Sequence, residues 1–350
     1  MRSALRYGII GCGVIGPTHA EAVSGLADVE LRAVCDVVPE RAAKLAGRFG
    51  ATAYHDFGEM LASERLDLVS ICTPSGYHGA HACAAMRAGA HVIVEKPMEI
   101  TRPAMDEMLR VQQLSGVQMA VISQHRFDPA SVQVHDLARD GAFGRLVLGV
   151  AHVPWWRSQE YYDSGAWRGT WALDGGGVLM NQSIHSIDLL TWLIGQVKSV
   201  TAYTETLVHR METEDVAAAV LRFANGALGT ITATTGAYPG VTTRVEIYGD
   251  GGSAVIEADS LAYLHLRRDD AEAAGPYGGA LAQTSSTGAG QTASNAAAVA
   301  NASHALQIAD MVRAVREGGK PLLDGREARH AVDVILSIYD SARTGKEVAI

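Results

Sequence analysis

RYGIIGCGVIG, residues Arg6–Gly16, is a short apolar strand that runs into Gly11-Cys12-Gly13-Val14-Ile15-Gly16. Pro17–Ser24 follows with helical character and Pro17 in the first turn. Strand, G-x-G-x-x-G and helix in that order form the fingerprint of a dinucleotide-binding turn. Gly11 permits the tight turn, Gly13 lets the backbone approach a pyrophosphate, and Gly16 allows the helix to pack against the strand. The phosphates belong on the helix amino end. Gly11, Gly13, Val14, Ile15 and Gly16 are therefore cofactor-binding candidates. An ordinary glycine turn is the plain alternative, and the strand and helix on either side argue against it.

The pattern continues outward from this turn. Val29–Asp36 is a second strand ending in a carboxylate about 25 residues after Gly11, near where such folds place the group that bonds the adenosine ribose. Asp36 favours NAD over NADP, although Arg41 stands close enough in sequence to meet a 2′-phosphate. Asp36 can equally cap the helix Pro39–Phe49. Strands near Ala51–Tyr54 and over Leu68–Cys72 come next. The second ends in Thr73-Pro74-Ser75-Gly76-Tyr77-His78, which places Thr73, Pro74, Ser75 and His78 near a nicotinamide ribose. Ser75 can also cap the helix Gly76–Ala88. His91–Pro97, HVIVEKP, is a buried strand that breaks off in Glu95, Lys96 and Pro97. Ligands bind outside the carboxyl ends of such strands, so Glu95 and Lys96 join the set. Pro97 restricts Lys96 to extended conformations and aims its stem. Helix Arg102–Ser115 and strand Gln118–Ser123 complete a β-α alternation that predicts a doubly wound parallel sheet over residues 1–123.

At 350 residues the chain is long enough for two domains. No apolar run is long enough to cross a bilayer, and the amino terminus enters a strand at once without a leader-type stretch. A cytoplasmic location is the default expectation, with no membrane role. The net charge of −9, with no basic run to offset it, argues against a nucleic-acid partner. Cys12, Cys35, Cys72 and Cys83 show no C-x-x-C spacing and read as reduced core residues. His78 and His81 lie three apart without further ligands, so no metal is expected.

Beyond Ser123 the pattern changes. After a helix over Pro129–Asp140, strands dominate: Arg145–Pro154, Lys198–Thr206, Asp215–Phe223, Ala227–Thr235, Thr242–Gly249 and Ser253–Glu257. Asn225-Gly226 and Gly251-Gly252 mark hairpins. Residues 124–350 read as an α+β domain with a large open antiparallel meander, one face of which a neighbouring subunit can bury. Ala271–Ala302, rich in Ala, Gly, Ser and Thr, reads as a long flexible loop or arm near the site. Helices return at about Ser303–Glu317 and Gly325–Arg343.

The most polar helical stretch is Gly175–Leu190. Asn181, His185 and Asp188 fall at i, i+4 and i+7, on one helical face. A lone histidine on such a helix is more often structural. With an amide and a carboxylate on the same stripe, His185 is a catalytic candidate and Asp188 the maker of a structural hydrogen bond. Aromatics concentrate over Trp155-Trp156-Arg157, Tyr161-Tyr162 and Trp167-Arg168, where rings and guanidinium groups suit a sugar face or an anion on it. A packed core edge or subunit contact accounts for Trp155 and Trp156 equally well.

Together these motifs resemble the Gfo/Idh/MocA oxidoreductases over nearly the whole chain: Gly11–Gly16, Thr73–His78, Glu95-Lys96-Pro97, the GGG…H-x-x-D helix Gly175–Asp188, and the ending Tyr339–Gly345. The resemblance implies an α/β Rossmann domain, an open antiparallel α+β domain, a tightly bound nicotinamide cofactor, and oxidation or reduction at a sugar or cyclitol hydroxyl. It also implies a homodimer or homotetramer built on the open sheet. Many members carry an acidic residue four positions before the histidine, where this chain has Asn181. The Asn181-Gln182-x-x-His185 form is similar to the branch acting at C3 of pyranosides and nucleotide-activated sugars. Lys96 and His185 are then the catalytic pair, one to take the hydroxyl proton and one to hold the oxyanion, in either assignment. The substrate-binding set is Lys96, Arg126, Trp156, Arg157, Tyr162, Trp167, Arg168, Asn181 and His185. A non-catalytic dinucleotide sensor, or a reductase of another ketone or imine, are the rival readings.

Overall fold

The computed structural model describes residues 4–267 and 293–350. They fall into two compact units. One comprises Met1–Gln124, Trp167–Gly176 and Ala297–Val332; the other comprises His125–Ala166, Gly177–Ala296 and Asp333–Ile350.

The first unit is built on six parallel strands: β1 (Leu5–Ile10), β2 (Val29–Cys35), β3 (Thr52–Tyr54), β4 (Leu68–Ile71), β5 (His91–Val94) and β6 (Met119–Val121). Their order is β3-β2-β1-β4-β5-β6, so the winding reverses between β1 and β4, where a doubly wound sheet opens a crevice at its carboxyl edge. Helices α1 (Gly16–Ser24), α2 (Pro39–Phe49), α3 (Phe57–Ser63), α4 (His78–Arg87) and α5 (Arg102–Ser115) make the crossovers. Strands covered on both faces read as continuous apolar runs, and β4 and β6 are buried throughout. Tyr7, Ile9, Val34, Leu68 and Ile93 of the sheet form one core with Ala20, Val23 and Leu45 of the helices.

The second unit contains α6 (Pro129–Arg139), β7 (Leu146–Pro154), α7 (Gln159–Asp163), a π-helical segment (Val178–Ser183) and α8 (Ile184–Ile194). Strands β8 (Val197–Glu205), β9 (Val216–Phe223), β10 (Leu228–Thr234), β11 (Arg244–Gly249), β12 (Gly252–Glu257) and β13 (Ser260–Leu266) follow. Helix α9 (Ala293–Glu317) belongs almost entirely to the first unit, where Ile308, Met311 and Val312 join its core, while α10 (Gly325–Thr344) begins in the first unit and ends in the second, followed by the short β14 (Val348–Ala349). The sheet runs β13-β12-β11-β7-β10-β9-β8-β14. It is not the simple antiparallel meander expected: β7 inserts between β11 and β10 and pairs with β10 in parallel. The long connection through α7 and α8 lets β7 enter the sheet away from its sequence neighbours, which hairpin signals cannot register. The face carrying Ala151, Ala219, Leu221, Ile231, Val245 and Ile247 is buried, with α8 packed on β7 and β11.

Three further expectations change. Most of Ala271–Ala302, read as a flexible arm, lies outside the described residues, and from Ala293 the chain is already helical, ten positions before Ser303. Alanine favours a helix without any apolar stripe, so periodicity missed this start. Strand β13 was missed because its hairpin turns on Ala258 and Asp259, both at positive φ, with no glycine to mark it. The polar stretch expected as a uniform α-helix begins as a π-helix. Among the described residues, no helix is long and apolar enough to cross a membrane. The four cysteines are buried and unbonded to one another.

Candidate active site

In the first unit, strand register brings the candidate residues to one edge. Ile10 pairs with Cys35 and with Ile71, and Ile71 pairs with Val94. Gly11, Asp36, Cys72 and Glu95 therefore leave their strands at one level. The three glycines divide the work as their surroundings dictate. A Cβ on Gly11, which has φ +102°, would lie 2.4 Å from the Cys72 carbonyl oxygen, and one on Gly16 would lie 2.4 Å from the Gly11 carbonyl oxygen. A Cβ on Gly13 would meet nothing within 4 Å. Gly11 and Gly16 are thus fixed by close packing, whereas Gly13 keeps open the approach a pyrophosphate needs. The first turn of α1 has no acidic side chain and no side-chain cap to compete with phosphate.

Asp36 is held rather than loose: Cys12 N donates to Oδ2 (2.8 Å) and Val38 N to Oδ1 (2.9 Å). The second contact is a turn two residues on, not a cap, since Val38 is the N-cap position of α2. Each carboxylate oxygen has two acceptor sites, which leaves room for ribose hydroxyls. Val14, 88% exposed, and Arg41, also exposed, flank this region in sequence, while Ile15 is half-buried. These features fit a dinucleotide.

Ser75, His78 and Glu95 of the cofactor set are buried instead. His78 is buried, with Nδ1 2.7 Å from the Pro97 carbonyl and Nε2 2.9 Å from the Thr73 carbonyl, and burial lowers its pKa. It ties the Thr73 turn to the segment after Lys96. Thr73 Oγ1 meets His81 Nδ1 at 3.1 Å; burial pushes His81 down to about 4. Pro74 is half-buried, and Ser75 is buried without capping the short turn it begins. Glu95 ends a buried chain: Tyr7 Oη to Ser70 Oγ (2.5 Å), Ser70 Oγ to His19 Nδ1 (2.7 Å), and His19 Nε2 to Glu95 Oε1 (2.8 Å). His304 Nε2 lies 3.4 Å from the same oxygen. Burial opposes ionisation of Glu95, but the two histidines outweigh it and hold the carboxyl well below its usual range. Its other oxygen accepts from Lys96 N (3.1 Å). No local signal announced this network, because His19, Ser70, Glu95 and His304 are dispersed along the chain.

Lys96 itself stands apart from its neighbours. In the run Val92–Ile100 it alone is not buried, and the Lys96–Pro97 bond is cis. Trp167 and Arg168 belong to this unit, with Arg168 Cζ 4.5 Å from the Trp167 ring centroid. The segment they open braces the Thr73 turn through Gly76 N to Leu173 O (2.8 Å).

In the second unit the same selection recurs. From Asp174 to Thr191 every residue is buried except Asn181 and His185. Asn181 lies in the π-helical segment and His185 in the first turn of α8, so the pair spans the junction rather than one regular helical face. Asp188 is buried and accepts both arms of Arg126, Nε at 2.8 Å and Nη2 at 2.7 Å. Arg126 is 2% exposed and lies 5.2 Å from the Trp192 ring. That placement fits a brace for α8 rather than the substrate contact expected of it. Beside it, His125 sets its ring edge-on to His185 at 5.1 Å. His125 Nδ1 lies 2.7 Å from Asp128 and 3.2 Å from Asp259; burial opposes its charge, yet the carboxylates raise its pKa overall.

Among the aromatics, Tyr162 is buried and bonds Thr235 Oγ1 (2.7 Å). Trp156 is exposed and packs edge-on against Tyr238 (5.5 Å). The Arg157 guanidinium lies over Trp155 (4.8 Å) and Tyr161 (5.3 Å). Among the described residues, two groups of ligand-type atoms bear on the expectation of no metal. They are His19, Glu95 and His304, and His125, Asp128 and Asp259. In both, the shortest pairs are at hydrogen-bond distance, closer than ligands stand around a shared ion.

Comparison with known proteins agrees with this anatomy. Residues 5–123 match the oxidoreductase family, NAD-binding Rossmann fold, and residues 131–255 match the GFO/IDH/MocA C-terminal domain. The WlbA dehydrogenase from Bordetella pertussis, solved in complex with NADH and UDP-GlcNAcA, is 31% identical over 100% of this chain and 99% of its own, with a TM-score of 0.87. Inositol 2-dehydrogenase of Rhizobium meliloti is 29% identical over 72% of this chain and 76% of that protein. D-glucoside 3-dehydrogenase of Escherichia coli is 32% identical over 58% of each chain. A Rossmann sheet with its glycine turn, a mostly antiparallel second sheet and full-length similarity to the WlbA dehydrogenase lead to one conclusion: the chain belongs to the Gfo/Idh/MocA family of NAD-dependent oxidoreductases.

Proposed function

We propose that the protein reversibly oxidises a secondary hydroxyl of a pyranose-like ring, in a glycoside, a sugar nucleotide or an inositol, with NAD as hydride acceptor. One observation carries this reading. Burial leaves Lys96 alone in Val92–Ile100, and Asn181 with His185 alone in Asp174–Thr191, as the side chains able to meet a ligand. All three are polar, and an ammonium, an amide and an imidazole are what removal of a hydroxyl proton requires.

The nicotinamide, when bound, supplies the hydride acceptor. As the carbon gives up hydride its hydroxyl must lose a proton, and His185 takes it, since imidazole titrates near neutrality. Lys96 holds the developing oxyanion and polarises the ketone in the reverse direction. Asn181 orients the hydroxyl but cannot accept a proton. NAD is preferred over NADP because the Asp36 carboxylate, fixed by two backbone amides, accepts from a ribose hydroxyl and repels a 2′-phosphate. The relatives named for inositol and glucosides, and the one solved with UDP-GlcNAcA, support the substrate class.

The test is absorbance of reduced nicotinamide when purified protein and NAD or NADP meet a panel of glucosides, inositols and sugar nucleotides. Reduction of NAD by at least one of them, faster than of NADP, is the expected result. A protein that binds NAD yet reduces it with none would be a sensor, and the proposal would fall.

A further inference from the structure

Glu214, just ahead of β9, is a buried carboxyl group with no part in the chemistry above. It is 3% exposed. Gly177 N donates to its Oε2 (3.0 Å), Leu179 N to its Oε1 (2.9 Å), and Val178 N to its backbone carbonyl (3.0 Å). Three successive amides at the entry to the π-helical segment thus end on one residue. A helix leaves its first amides without internal partners and carries partial positive charge there, so a carboxylate suits the place. Tyr339 of α10 donates its hydroxyl to Oε1 (2.9 Å) and completes the set. The fit requires a glycine, because a Cβ on Gly177 would lie 1.8 Å from the Glu214 carbonyl oxygen.

This clamp lies four residues before Asn181 and eight before His185. Between them the chain makes π turns and then α turns, and π-helical segments concentrate at functional sites. The start of the π segment therefore sets the rotation at which the two half-buried side chains emerge. We propose that Glu214 is a positioning residue for His185: ionised, it locks Gly177–Leu179 and thereby fixes the direction in which Asn181 and His185 are presented. The inference rests on His185 serving as the proton acceptor.

The other groups around Glu214 do not take over its role. The π segment offers it only backbone amides, and α10 offers the Tyr339 hydroxyl. Its neighbour Asp215 is turned to the amides of Leu207, Val208 and His209 and to the His209 ring. Burial pushes the Glu214 carboxyl up to about 7, against the pull of its hydrogen bonds. Below that pH one oxygen carries a proton, becomes a donor, and no longer accepts an amide, so the clamp loosens as acidity rises. Stability runs the other way. A carboxyl whose folded pKa is raised favours the fold while protonated, and that contribution is lost as pH climbs from the ordinary carboxylate range towards 7.

Glu214→Gln separates a positioning role from a merely structural one. The variant should lose about tenfold or more in kcat with little change in KM or NADH binding. Its Tm should fall less than that of the wild type between pH 5 and pH 8, because the ionisation is gone. The imidazole NMR signal of His185, assigned by its loss in His185→Ala, should shift without any substrate present. Unchanged kcat together with an unshifted His185 signal overturns the proposal. Should Glu214→Gln fail to fold, Tyr339→Phe decides. Removing that donor should raise the acidic limb of the rate profile, and a wild-type limb with wild-type kcat refutes the clamp. If no sugar is oxidised by the wild type, the functional reading fails on its own account. The His185 signal still tests the clamp.

Discussion

Burial does at the residue scale what motif matching alone cannot. The sequence offered Lys96 and His185 as the catalytic pair, Glu95 and His78 for the cofactor, Arg126 and Asn181 for the substrate, and Asp188 as a structural group. The fold turns Glu95, His78, Arg126 and Asp188 inward onto protein partners and leaves Lys96, Asn181 and His185 with exposed surface. Lys96→Met and His185→Ala should each cut turnover about a hundredfold or more, the typical loss for one oxyanion or proton-transfer group. NADH binding and Tm should stay near wild type in both. Near-normal turnover in His185→Ala would return that residue to a structural role. Gly13 supports a complementary expectation. Its missing Cβ has open space around it, so Gly13→Ala should fold normally yet bind NADH about tenfold or more weakly. Equal NADH affinity in wild type and Gly13→Ala, measured by fluorescence titration, would remove the pyrophosphate from that turn.

The elements divide by how local their causes are. Strands β1, β2, β4 and β5 and helices α2 and α5 were legible because buried parallel strands are apolar runs and helix ends carry local punctuation. The glycine turn was legible for the same reason. The parallel pairing of β7 with β10 and the two-residue β14 depend on partners far along the chain, and no window of sequence contains them. The hairpin into β13 is local, but its Ala258-Asp259 turn has no glycine to mark it. The same holds for the site. Lys96 and His185 could be named from local patterns, but His304 beside Glu95 and Tyr339 on Glu214 could not. The π-to-α junction is the element whose consequence is most open to test. Asn181→Asp places a carboxylate one turn before His185 and favours the imidazolium form. A base that holds its proton more firmly is ionised correctly only at higher pH, so the acidic limb of the oxidation profile should move upward. An unmoved limb with activity intact would mean that position 181 does not sense the proton-transfer group.

On the scale of the whole molecule, the larger sheet poses the remaining problem. Its inner face packs on α8, but strict alternation along β9 leaves the other face in solvent. Register sets exposed apolar side chains on that face: Leu148 pairs with Leu228, and Val220 lies between Thr201 and Thr230. Tyr203 lies 77% exposed and Val220 54%. Arg222 stands directly beside Leu228, and Glu246 and Arg244 lie on β11, so charged groups border the exposed apolar side chains, a mixture that associating surfaces accommodate. A second copy of the chain is the proposed cover, giving a homodimer or homotetramer through this sheet. Val220→Glu tests the idea with little risk to the fold, because the side chain it replaces already faces water and exposed substitutions typically change stability by about 0.5 kcal/mol or less. In an assembled interface the same change buries an unpaired charge next to Thr201 and Thr230. Light scattering at micromolar concentration should therefore find an oligomer for the wild type and a monomer for Val220→Glu, with similar far-UV circular dichroism. A wild type that runs as a monomer, or a variant with unaltered mass, would show that this face is not where copies of the chain meet.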